Sequence, residues 1–150
     1  MVLTLIGAYV LTLHCRRTHL LKVGRLGEIK VRSGYYAYVG SAFGRNLTIE
    51  SRLKRHRSVK SENTQRLHWH IDYLLADSEV DLLTALPVEA QRRVECKISK
   101  RIWEIADAVI ANFGSSDCRD GCKGHLYYFK AQPLKRIAVA CSELTRAASL

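Results

Sequence analysis

The hydrophobic and polar positions change period several times along this chain. From Val2 to about His14, Val, Ile, Leu, Thr and Tyr alternate with period two, with Leu3, Leu5, Leu11 and Leu13 set against threonines, which predicts a half-buried strand. Leu20–Val23 and Glu28–Arg32 flank Gly24-Arg25-Leu26-Gly27 and predict a hairpin. Gly34 opens a further strand through Val39, making the first third an antiparallel meander. Asn46 then caps a helix carrying Leu47, Ile49 and Leu53 mostly on one side. The polar run Ser58–Arg66 reads as a loop, and His68–Leu75 fits a strand or a short helix equally.

The second half begins with a strand over Val80–Leu86, ended by Pro87. Val94, Ile98, Ile102, Ile105 and Val109 step by three or four and predict one helix from Val88 to about Asn112. A glycine-containing loop, Phe113–Gly124, leads to a strand over Leu126–Lys130. After Pro133, a strand over Arg136–Ala140 and a frayed helix close the chain. These elements predict an α+β fold, a small antiparallel sheet flanked by helices. With 150 residues, two prolines and no linker composition, a single domain over 1–150 is expected.

Charge narrows the partners. The formal net charge is +10, from 24 Lys and Arg against 14 Asp and Glu. Arg45, Arg52, Lys54, Arg55, Arg57, Lys60 and Arg66 cluster against Glu50 and Glu62 alone. Such clustering favours a nucleic-acid partner through counterion release. The apolar opening is too short to span a bilayer and lacks the basic start and cleavage site of a leader, so no membrane association is expected. Five unevenly spaced cysteines suit a reducing cytoplasm, with thiols free or metal-bound.

Several groups can carry chemistry. Arg52 and His56 are one helical turn apart, with Arg55 on the same face, a cationic arrangement suited to a phosphate. Cys118-x3-Cys122-x2-His125 either supplies three zinc ligands, with His70 or His68 as the fourth, or holds a buried or reactive thiol, with Asp117 and Asp120 as alternative partners for a divalent metal. Cys15, Cys96 and Cys141 read as small apolar fillers. His68, His70 and Asp72 share one face if their segment is a strand and scatter if it is a helix. Trp69 reads as a core or groove-wall residue.

Gly7-Ala8-Tyr9, Tyr38-Val39-Gly40-Ser41-Ala42, Arg52-Leu53-Lys54-Arg55-His56, His68-Trp69-His70-Ile71-Asp72-Tyr73-Leu74-Leu75, Glu95-Cys96, Gly114-Ser115-Ser116-Asp117-Cys118 and His125-Leu126 occur in that order. Together they resemble the GIY-YIG endonuclease superfamily, in an uncharacterised prokaryotic branch sometimes joined to endonuclease III-type glycosylases. The resemblance implies metal-dependent phosphodiester hydrolysis on DNA, with DNA-repair enzymes as companions. It also implies a role for each matching position. Tyr9 helps activate the attacking water, Tyr38 lines the same pocket, Arg52 steadies the phosphate, His56 stands beside them, and Glu95 holds Mg²⁺ or Mn²⁺. Ser41, Arg55, Arg57 and Lys60 are then expected along the nucleic-acid backbone, with His68, His70, Asp72 and Ser116 as further site candidates. Ala8 stands where isoleucine is typical, and the interval from Tyr9 to Tyr38 is long, as the extra hairpin explains. The asparagine expected after the glutamate has Asn112, Ser116 and His125 as candidate counterparts. Two alternatives stay open: a non-catalytic nucleic-acid-binding module of the same fold, and a zinc-stabilised interaction domain.

Overall fold

A computed structural model describes residues 5–43, 47–62, 66–115 and 118–149. Its strands are β1 (Gly7–Cys15), β2 (His19–Val23), β3 (Gly27–Val31), β4 (Gly34–Ala42), β5 (Val80–Glu89), β6 (Ala108–Ile110) and β7 (Leu126–Phe129). Its helices are α1 (Ile49–Glu62), α2 (His70–Ala76), α3 (Glu95–Ile105) and α4 (Leu134–Ser149). The main sheet has five strands in the order β5-β1-β4-β7-β6, every neighbouring pair antiparallel. The α+β expectation of a small antiparallel sheet flanked by helices describes it.

β1 is the central element, and it is not half-buried. Eight of its nine residues are buried, because helices cover both sides of the sheet. Tyr9, Leu11 and Leu13 pack toward Ile49, Leu53 and Val59 of α1 and Ile71, Leu74 and Leu75 of α2. Ala8 and Val10 pack toward Ile98 and Ile102 of α3 and Ile137 and Cys141 of α4. A strand buried on both faces needs apolar residues at odd and even positions alike, which is why its alternation is imperfect. Ala8 lies in the second of these layers, where a small side chain suffices.

The predicted meander is corrected in one respect. The β2–β3 hairpin forms where expected, around a single 3-10 turn at Gly24–Leu26, but it is a separate two-stranded sheet. β4 passes back beside β1 in the register Gly7↔Ala42, Tyr9↔Gly40 and Leu11↔Tyr38. The hairpin buries Val23 and Val31 in the layer shared with α1 and α2.

Other boundaries moved for identifiable reasons. α1 starts at Ile49, capped by Thr48: its Oγ1 accepts the Ser51 N–H at 3.1 Å, and Ser51 Oγ accepts the Thr48 N–H at 3.1 Å. Asn46, the expected cap, lies outside the described residues, as do Arg45, Ser116 and Asp117. The helix runs on through the polar stretch to Glu62, since Val59 adds one more buried turn. His68–Leu75 resolves as helix from His70 onward. Pro87 does not end β5, which continues to Glu89; β5 is an edge strand, where a missing N–H is tolerated. The long helix from Val88 is α3 alone, and Val109 belongs to β6. The strand expected at Arg136–Ala140 is the start of α4, whose Ile137, Ala140, Cys141 and Leu144 step by three or four.

Two glycines of the tyrosine motifs are dictated by space. Gly7 has φ +142°, and a Cβ there would lie 2.2 Å from the Val88 carbonyl oxygen. A Cβ on Gly40 would lie 2.3 Å from the ring of Tyr9, directly opposite on β1. Gly7→Ala is expected to destabilise the fold by about 2–4 kcal/mol, combining backbone strain with a clash against main chain. Chemical denaturation monitored by circular dichroism checks this, and an unchanged midpoint would contradict it.

Candidate active site and adjacent metal cluster

The buried stripe of α1 runs Ile49, Leu53, His56, Val59, so an imidazole occupies a core position facing the sheet. Tyr9 projects from β1 on that side, and its hydroxyl lies 2.7 Å from His56 Nε2. Burial lowers the pKa of His56 to about 4, against a weaker upward pull from Asp72. The imidazole is therefore neutral near pH 7 and shares one hydrogen bond with the Tyr9 hydroxyl. Burial, reinforced by Tyr38, raises the pKa of Tyr9, while Arg52 opposes the shift. Burial likewise raises that of Tyr38.

These residues open onto a cavity of about 490 Å³, lined also by Arg52 and Glu95. The five positions that the superfamily resemblance singled out, Tyr9, Tyr38, Arg52, His56 and Glu95, thus converge from β1, β4, α1 and α3 on one cavity. Glu95 is the only carboxylate among its described lining residues. It sits at the first position of α3 with its side chain 20% exposed, 4.0 Å from the Arg93 guanidinium. Arg52 has no carboxylate partner among the described residues; its Cζ lies 4.3 Å from the centroid of the Trp69 ring.

The remaining candidates divide. Ser41, His68 and His70 line the cavity. His70 Nδ1 accepts the Gly114 N–H at 2.9 Å, fastening the 113–115 turn to α2, and burial lowers its pKa. Arg55 is not free to follow a nucleic-acid backbone: its Nη2 binds Asp72 Oδ2 at 2.6 Å, because a fully buried carboxylate needs a cation. Lys60 is likewise engaged, its ammonium donating to the Asp77 carbonyl at 3.1 Å and to the Val80 carbonyl. Arg57 is exposed on α1 and is not among the cavity's lining residues. Asp72 is fully buried and is not among the cavity's described lining residues. Of the asparagine counterparts, Asn112 is exposed in a turn at φ +65° and not among the lining residues, His125 lines the cavity, and Ser116 lies outside the described residues.

Cys96 is not an apolar filler. Its sulfur lies 3.4 Å from Cys118 Sγ and 3.9 Å from His125 Nε2. The ligand atoms of Cys96, Cys118, Cys122 and His125 all fall within 4.8 Å of one another. Tetrahedral zinc with ordinary bond lengths needs edges of about 3.5–3.8 Å, so this Cys3His cluster is able to hold a metal such as zinc. Cys96 takes the fourth place that His68 or His70 was expected to fill. Burial lowers the pKa of His125, against an upward pull from Glu95, and keeps the imidazole neutral as ligation requires. The signal for Cys96 was present as Glu95-Cys96: consecutive residues on a helical first turn, one toward the cavity, the other toward the cysteines.

Among the described residues no helix is long and apolar enough to cross a membrane. A family model described as "Domain of unknown function DUF123" matches residues 8–146, and the chain belongs to that family. No significant match occurs among curated proteins or solved structures.

His56 offers a direct check of the site. Its folded pKa lies below the ordinary 6.5, so the unfolded chain binds the extra proton first as pH falls. Its contribution is complete above about pH 6.5 and decreases by about 1.4 kcal/mol per pH unit until about pH 4. An NMR titration should show His56 unprotonated down to about pH 5. A midpoint near 6.5 would place the imidazole in water instead.

Proposed function

We propose that this member of the DUF123 family is a GIY-YIG-like endonuclease that hydrolyses phosphodiesters in DNA with Mg²⁺ or Mn²⁺, in a DNA-repair setting. The observation that carries the reading is the convergence of Tyr9, Tyr38, Arg52, His56 and Glu95 on one open cavity. The order of the motifs supports the kinship with the GIY-YIG superfamily, and the net charge of +10 supports a polyanionic substrate.

In this reading, Arg52 binds two oxygens of the scissile phosphate through its planar fork and stabilises charge that grows in the transition state. A water attacks phosphorus; the new P–O bond forms as the bond to the leaving oxygen breaks. Tyr9 takes the water's proton as it passes its own to His56 Nε2, to which it is already hydrogen-bonded. Burial chiefly holds down the basicity of His56, and an anionic phosphate offsets the smaller contribution of the Arg52 and Arg55 charges. Tyr38, neutral and half-buried, shapes the wall beside Tyr9. The single carboxylate of Glu95 fits a small cation that keeps most of its waters. When bound, that cation supplies a Lewis acid that neutralises phosphoryl charge and makes water more acidic. The leaving oxygen is protonated from solvent at the cavity mouth.

Zinc at Cys96, Cys118, Cys122 and His125 belongs to the same proposal as a structural ion, since four protein ligands leave no open position. Thiols available for metal suit the cytoplasm. A second reading, a non-catalytic nucleic-acid-binding module of the same fold, is favoured by one observation: Asn112 is not among the residues that line the cavity.

Purified protein should nick supercoiled DNA when Mg²⁺ or Mn²⁺ is added, and Arg52→Ala or Glu95→Gln should slow it by about 100-fold or more. Equal nicking by both variants and wild type would indicate a contaminant and sink the assignment. Salt-dependent DNA binding without turnover selects the second reading. Elemental analysis of protein prepared without chelator should find one zinc per chain, lost in Cys96→Ser; the absence of zinc in wild type would remove the structural ion.

A further inference from the structure

Arg52 must present its guanidinium to a ligand without losing its donors. A carboxylate partner would orient it but would also occupy its N–H groups and cancel its charge. An aromatic face orients it and leaves the donors free. Trp69 provides that face at 4.3 Å, and the Arg55 Cζ lies 4.6 Å from the same ring centroid. Trp69 also lines the cavity.

The backbone that carries the indole is held in turn by one buried oxygen. Asp72 Oδ2 accepts the backbone N–H of Trp69 at 2.9 Å, the backbone N–H of His68 at 2.8 Å and the Arg55 Nη2 donor at 2.6 Å. Capping α2 alone would be served by an asparagine carbonyl. Asp72 is instead fully buried as a carboxylate, with Oδ1 lacking a partner among the described residues. A charge in that place is explained by Arg55: it clamps the second guanidinium against the indole that carries the first.

The geometry points to Asp72 and Trp69 as positioning residues for Arg52, Asp72 fixing the Trp69–Arg55 pair and the indole fixing the Arg52 fork toward the cavity. This rests on the endonuclease reading for its catalytic consequence, but the arrangement itself is measurable without turnover.

Two readouts test it on Trp69→Leu, Trp69→Phe and Asp72→Asn. In DNA cleavage, Trp69→Leu and Asp72→Asn should lower kcat by about 10- to 100-fold with KM changed less than about 3-fold, and Trp69→Phe should recover most of the loss. In ¹⁵N-detected NMR, the wild-type Arg52 Nε–H should be ring-shifted and slow to exchange; Trp69→Phe should keep that signature and the other two should lose it. An Arg52 signal unchanged in Trp69→Leu, or equal loss in the Phe and Leu variants, overturns the proposal. If Trp69→Leu fails to fold, Asp72→Asn decides: a wild-type Arg52 signal there overturns it. A wild type that shows the signature and its loss in Asp72→Asn, yet never cleaves DNA, keeps the positioning role and removes the endonuclease assignment.

Discussion

The pairing of β1 with β4, in the register that sets Tyr9 against Gly40, is the constraint on which the rest depends. Only a residue without a Cβ lets the Tyr9 ring cross the neighbouring strand, and only from there does its hydroxyl meet His56 on α1. Because the side-chain period of a strand is two, a slip of one residue would turn Tyr9 toward α3 and α4 and leave His56 facing a bare core. Burial on both sides of β1 forbids that slip, since the odd and even residues fill different layers. The register that builds the core and the register that builds the site are the same.

A second constraint is electrostatic. The α1–α2 contact contains a buried carboxylate, Asp72, paired with Arg55 at 2.6 Å. Such a pair contributes little net stability, but removing one partner strands a buried charge at a cost of about 3–5 kcal/mol. Its value lies in direction rather than strength: it fixes where α2 and Trp69 stand relative to α1. Arg55 and Lys60, which looked like a continuous basic track, are spent inside the protein on Asp72 and on two carbonyls. The surface positive charge therefore lies elsewhere, on residues such as Arg57, Arg93 and Lys97.

The cavity and the cysteine cluster share a wall. Glu95 and Cys96 are consecutive in the first turn of α3, and Cys118 and His125 belong to both. His125 is tied to the sheet as well, its carbonyl accepting the Val39 N–H at 2.9 Å beside Tyr38. A metal in the cluster would thus brace the N-terminus of α3, and with it the one carboxylate among the cavity's described lining residues, against β4.

What the sequence determined by itself follows from local rules. Alternation, turn glycines and the i, i+4 spacing of Arg52 and His56 made the strands, the hairpin and the helix legible, and the ordered motifs marked the five residues that meet at the cavity. Errors fell where two periods coincide or where tertiary context overrides a local signal. Val109 continues a helical step yet pairs in a sheet, Pro87 stops no strand because it lies on an edge, and Ile137 to Leu144 read as helix only when a core lies beneath them. Tertiary structure alone decided which charges are free and which sulfurs meet. Arg55 pairs with a residue 17 positions away, and Cys96 meets Cys118 across 22. No local periodicity encodes a distance of that kind; it exists only after the sheet has brought α1, α2 and α3 around one cavity.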